Sequence, residues 1–186
     1  MFWLGTFGFV LFFLNDINDS KLHSKWLSFL FPAGALCLSA ACAFSLDPYG
    51  APVSGLFWRV LLWLLFGAFM ALTVWALFFS FPAAEGYASP GEKRQVCTTG
   101  LYSLCRHPGV LFLSCALITL CLCGGLPPVF ASVYTVLNIL LATYEDRRVF
   151  PLVLSGYNAY RRSTPFLIPG ARHITGFFKT NFVTFR

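Results

Sequence analysis

Hydrophobic residues in this chain fall into five blocks, separated by short polar or Gly/Pro-rich breaks: Phe2–Leu14, Trp26–Leu46, Leu56–Phe81, Val110–Cys123 and Val129–Tyr144. Within the blocks there is no period-2 alternation and no polar face, so each reads as a helix that is apolar all round. Such a helix is either buried in a large core or lies in a membrane. A helix crossing a typical hydrocarbon core needs about 20 residues, with a range of roughly 17–25. The second and third blocks meet that length. The fourth reaches it if it starts at Pro108 and runs to Gly125, the fifth if it begins with Pro128. The first is short and is expected to tilt or insert in part.

The breaks supply the punctuation. Pro108 opens the fourth block at a position where a missing N–H costs nothing. Gly124-Gly125-Leu126-Pro127-Pro128 ends one helix with glycines and opens the next with prolines. Blocks four and five are therefore a tight helical hairpin, whose outer ends share one membrane face. Pro151, soon after block five, is expected to kink or interrupt any continuing helix.

Composition agrees with a membrane setting: 58% of the 186 residues are hydrophobic and 11% charged, against roughly 45–50% and about 25% in soluble domains. The expected fold class is all-α, a polytopic transmembrane bundle of about five helices (near 2–14, 26–46, 56–81, 108–125 and 128–144). These form a single domain over 1–186 with a tail at 145–186. A net charge of +6 raises the question of nucleic acid, but the basic residues are interspersed with membrane-length apolar runs. Membrane lipid headgroups are the better partner, and no nucleic acid or protein partner is inferred.

Lys21, Lys25, Lys93, Arg94, Arg106, Arg147, Arg148, Arg161, Arg162, Arg172, Lys179 and Arg186 all fall on one side of a five-helix topology. The opposite loops, Asp47–Ser54 and Gly124–Pro128, carry no Lys or Arg. The positive-inside rule makes the basic side, and the C-terminus, cytoplasmic. Arg59 is the exception, near the start of block three; it reads as a snorkelling side chain, with a substrate-facing role as the alternative.

Of the seven cysteines, Cys37, Cys42, Cys115, Cys121 and Cys123 sit inside apolar blocks and act as small hydrophobes. Their spacing forms neither a zinc motif nor a disulfide framework, so no metal is expected. Met1–Leu14 lacks the basic n-region and cleavage site of a signal peptide.

The remaining polar residues gather in three groups near the expected cytoplasmic rim. They are Tyr102-x-x-x-Arg106-His107-Pro108, then Glu145-Asp146-Arg147-Arg148, then Tyr157-x-x-Tyr160-Arg161-Arg162-x-x-Pro165-x-x-Ile168-Pro169. Taken singly they are headgroup anchors, helix-end charges and an irregular tail. Their order and spacing together, with Gly100 ahead of them, resemble the C-terminal half of the isoprenylcysteine carboxyl methyltransferase and phospholipid methyltransferase group of membrane enzymes. The resemblance runs from Thr98 to Gly170, a little over a third of the chain.

It implies an integral membrane fold that binds S-adenosylmethionine at the cytoplasmic boundary and takes a lipophilic, isoprenylcysteine carboxylate-like or phospholipid amine-like substrate from the bilayer. Carried over by motif position, Tyr102, His107, Pro108, Glu145, Asp146, Tyr157, Tyr160, Pro165, Ile168 and Pro169 would contact or enclose the cofactor. Arg106, His107, Glu145 and Arg161 would orient the acceptor or handle its proton. A carboxylate acceptor needs no base, whereas a protonated amine must first lose a proton to His107 or Glu145.

The chain departs from the family pattern at Val110 and Phe112, where a Tyr and a small residue are usual, and in the apolar run Val149–Leu154. Two alternatives follow. One is a non-catalytic membrane scaffold of the same fold; the other is an NADPH-dependent sterol-reductase-like enzyme, a group similar in this region but usually longer.

Overall fold

The computed structural model describes residues 1–53, 55–79 and 93–182, with side chains described as far as residue 179. Ser54, the last two residues of the expected third helix and Arg186 lie outside the described residues.

Each hydrophobic block is a helix: α1 is Phe2–Ile17, α2 Leu30–Ala43, α3 Leu56–Val74, α4 Pro108–Gly124 and α5 Pro128–Tyr144. A 3-10 turn, Lys25–Phe29, leads into α2, and a π turn carries α3 on to Phe79. Two of these helical runs, Lys25–Ala43 and Leu56–Phe79, are long and apolar enough to cross a membrane. Both turn large apolar side chains outward; Leu64 is 67% and Trp75 56% exposed. The fourth and fifth helices have 17 residues each, or about 26 Å at 1.5 Å per residue. That is a little short of a hydrocarbon core of ~30 Å.

α1 packs along α2, α3 along α4, and α4 against α5. The α1–α2 crossing uses glycine: a Cβ added at Gly8 would sit 2.7 Å from the Gly34 carbonyl oxygen. Small residues are what let apolar helices approach this closely when both neighbours and solvent are equally apolar. Phe9, Leu38, Leu117, Leu120 and Leu126 form the core around Tyr134. The Tyr134 side chain is completely buried, and its hydroxyl donates to the Phe2 carbonyl at 3.0 Å.

Pro108 occupies the first turn of α4, and Gly125 ends that helix in the left-handed conformation (φ 69°). The hairpin therefore has the punctuation read from its sequence. Arg59 reaches back to the Pro48 carbonyl at 2.7 Å.

Beyond α5 the chain continues through a π turn, Glu145–Val149, into a four-residue helix α6, Phe150–Val153. Pro151 sits in the first turn of α6, where proline is tolerated, and the helix ends two residues later. β2 (Leu154–Ser155) then pairs in parallel with β1 (Arg94–Gln95). The short helix α7, Tyr157–Ser163, and the terminal helix α8, Ala171–Phe182, complete the described chain.

Candidate functional site

Three chain segments meet at one end of the bundle. The residues before α4 and the stretch after α7 are joined through backbone: Arg106 N–H donates to the Pro165 carbonyl at 2.9 Å and His107 N–H to the Phe166 carbonyl at 3.2 Å. Tyr160 in α7 reinforces this, its hydroxyl donating to the carbonyls of Tyr102 (2.7 Å) and Cys105 (3.3 Å). The π turn after α5 adds Glu145 and Asp146, displaced from the regular helical face by the extra residue per turn.

Asp146 is the hub. Its Oδ1 accepts from Arg106 Nη1 and from the Tyr157 hydroxyl, each at 2.5 Å, and its Oδ2 lies 3.2 Å from Arg161 Nε. Burial by itself would raise the Asp146 carboxyl. Hydrogen bonds from His107 and Tyr157 and the charge of Arg106 outweigh it and hold the group down at about 2. A carboxylate with this many internal partners organises the site and has little capacity left for a ligand.

His107 is buried between aromatic rings, stacked on Phe150 (5.5 Å between centroids, 15° between planes) and edge-on to Phe166. Its Nδ1 lies 3.5 Å from Glu145 Oε2. Arg106 Nε is enclosed with no hydrogen-bond partner, and the His107 ring meets Asp146 only at long range, 3.7 Å from Nε2 to Oδ1. Buried polar atoms are almost always satisfied, so Arg106 Nε stands out within the cluster.

A cavity of about 140 Å3 is lined by Tyr102, Arg106, Phe150, Tyr157 and Tyr160 together with Asp16, Asp19, Arg94, Val96 and Cys97. Val149, Val153 and Leu154 also face it or pack beneath it. The apolar run Val149–Leu154, out of keeping with the family pattern, thus has a local role as wall and as stacking partner for His107. Burial raises the Tyr102, Tyr157 and Tyr160 hydroxyls well above the usual phenol range, so all three are neutral donors.

The expected residues divide accordingly. Tyr102, Arg106, His107, Glu145, Asp146, Tyr157, Tyr160 and Arg161 come together. Pro108 is buried as the first residue of α4, and Pro165 contributes its carbonyl. Ile168 is 78% exposed, and neither it nor Pro169 lines the cavity.

Sequence reading missed a partner from the other end of the chain. Asp16, in the last turn of α1, lies within hydrogen-bonding reach of Glu145. Burial, then repulsion from Glu145 and Asp19, raises the Asp16 carboxyl to about 8; burial also raises Glu145. Two carboxyls this close share a proton rather than both ionise. Asn18 fixes the approach: it is buried and clamps the α1–α2 turn, accepting from Ser24 N–H at 2.8 Å and donating to the Ser24 carbonyl at 3.1 Å. An acidic residue ending an apolar block was the available signal, but nothing local pairs it with a residue 129 positions away.

Among the described residues no group of His, Cys, Asp and Glu is arranged to hold a metal ion. Comparison with protein-family models, curated proteins and solved structures finds no match to this chain.

Proposed function

We propose that this chain is a multi-pass membrane methyltransferase with a cytoplasmic C-terminus, using S-adenosylmethionine to methylate a lipophilic acceptor drawn from the bilayer. The observation that carries this reading is the joining of the segment at 102–107 to the Glu145-Asp146 turn and to the 157–166 segment. These three groups, dispersed in sequence, make one wall, in which Arg106 Nε is a buried donor with no hydrogen-bond partner.

S-adenosylmethionine supplies an electrophilic methyl group on a sulfonium. The residues present suit it: Glu145, His107 and the unused Arg106 Nε for its zwitterionic end, Tyr102, Phe150 and Tyr157 for its flat and apolar parts. Asp146 then acts by position, locking Arg106, Tyr157 and Arg161. Displacement at a sulfonium methyl needs chiefly alignment and exclusion of water, which a rigid, aromatic-walled site provides.

One observation favours the non-catalytic alternative. At about 140 Å3 the cavity is smaller than the roughly 300–1,000 Å3 usual for cofactor-sized ligands, so a bound cofactor extends beyond it. The test is transfer of a labelled methyl group from S-adenosylmethionine into the lipid fraction of membranes containing the protein. Label in lipid that disappears in Glu145→Ala supports the reading. No label above control membranes, with the protein folded, refutes it.

A further inference from the structure

The terminal helix α8 takes no part in the site, and its side chains sort by face. His173, Gly176 and Phe177 are half-buried. This face is held to the bundle: α8 packs on Gly100–Ser103, and His173 Nε2 lies 3.1 Å from the Ser163 carbonyl oxygen. The outward surface carries two stripes side by side. One is Ala171, Ile174 and Phe178, with Ile174 40% and Phe178 54% exposed. The other is Arg172, Thr175 and Lys179, all exposed. Residues three and four apart share a helix face, so an apolar and a cationic stripe run along the same open surface.

We propose that α8 is a membrane-surface helix, which lays Ile174 and Phe178 into an anionic leaflet and sets Arg172 and Lys179 against its headgroups.

Length, place and charge select this occupant. The 12 residues of α8 span about 18 Å at 1.5 Å per residue. That is too short to cross a hydrocarbon core of ~30 Å, so on a membrane the helix lies flat. The Gly100–Ser103 turn it packs on is tied to the end of a membrane-length helix. The Tyr102 hydroxyl donates to the Ala76 carbonyl at 3.2 Å, and the nearby Phe78 and Phe79 are 61% and 65% exposed. α8 therefore stands beside the end of the apolar run Leu56–Phe79, at the level where a bilayer has its headgroups. No acidic residue follows Asp146 in the sequence, whereas six arginines and Lys179 do. Nucleic acid matches the basic stripe and leaves Ile174 and Phe178 in water. An uncharged bilayer takes the apolar stripe and leaves the basic one unused. An anionic leaflet matches both, the pattern of helices that lie in a membrane interface.

This rests on the membrane part of the reading above and not on methyl transfer. Hydroxyl-radical footprinting of the full chain, read by mass spectrometry, provides the test in nanodiscs of phosphatidylcholine alone and of phosphatidylcholine mixed with phosphatidylglycerol. Oxidation of Ile174 and Phe178 is measured against that of Tyr49, which is fully exposed on a loop. The expected result is oxidation slowed about tenfold in the anionic discs, since each basic side chain near an anionic surface strengthens seating severalfold. High salt should remove the protection. Arg172→Glu/Lys179→Glu should abolish the difference between discs and leave the Tyr49 rate unchanged. The wild-type comparison decides without any variant: a chain that enters both discs and is oxidised equally in them loses this proposal and keeps the membrane reading. A chain that enters neither disc loses both. Protection that persists in detergent and survives the charge reversal assigns the face to a protein contact, a second copy included, and overturns the proposal as well.

Discussion

Arg106 and Asp146, forty residues apart, meet in a buried ion pair at 2.5 Å, with side-chain exposures of 10% and 5%. The pair closes the gap between the start of α4 and the turn after α5. Removing one partner strands the other charge in a low-dielectric setting, at a cost of about 3–5 kcal/mol. Asp146→Ala should therefore lower the thermal unfolding midpoint in detergent strongly, whereas Arg161→Ala, at the exposed edge of the same carboxylate, should cost under about 1 kcal/mol. Equal effects would deny Asp146–Arg106 its central place.

Tyr157 and Tyr160 stand side by side but hold different things. The Tyr157 hydroxyl bonds a carboxylate and the Tyr160 hydroxyl two backbone carbonyls. Each Tyr→Phe change should cost about 1–3 kcal/mol in unfolding free energy. Tyr160→Phe should in addition speed hydrogen exchange at the amides of Arg106 and His107, because it unties the segment they anchor. Unchanged exchange there would show that the backbone bonds to Pro165 and Phe166 suffice.

The Asp16 carboxyl gives stability a definite pH slope. Its folded-state value of about 8 lies above the usual 3.8, so the folded protein binds more protons than the unfolded chain between those values. Stability is then lost progressively as pH rises from about 4 to about 8. Asp146, held at about 2, acts in the opposite sense, and its contribution is lost as pH falls from about 4 toward 2. Asp16→Asn should flatten the alkaline decline and make the variant more stable than the wild type at pH 8–9. A parallel decline in both proteins would contradict the shared-proton pair.

The proposed topology of five crossings requires the loop at Tyr49 and the C-terminal tail to lie on opposite faces. A glycosylation acceptor inserted after Tyr49, which is fully exposed, should be modified in microsomes, and one placed after α7 should not. Modification at both sites, or at neither, would contradict the multi-pass topology.

Much of this was legible in the sequence. The five apolar blocks became the five long helices because uniformly apolar helices need no partner to be recognised, and the Gly-Gly-x-Pro-Pro hairpin follows from local backbone chemistry. The convergence of Tyr102, Arg106, Asp146 and Tyr157 was readable through spacing and resemblance. Asp16 was not, because its role depends on how α1 packs beside α5, and chain order carries no signal for that. The two-residue β1–β2 pairing was invisible for the same reason. Val149–Leu154 reads in sequence only as an apolar departure from the family pattern, and its part in lining the cavity and stacking Phe150 on His107 depends on the tertiary fold.

The central claim is that His107 and Glu145 hold a cofactor, and calorimetric titration of the purified full chain with S-adenosylmethionine tests it most directly. The account predicts saturable binding, weakened by about 1–3 kcal/mol in His107→Ala and in Glu145→Ala and nearly unchanged in Lys21→Ala and Lys25→Ala, with no binding of NADPH. Absence of S-adenosylmethionine binding by folded protein, or equally small effects at all four positions, would contradict it.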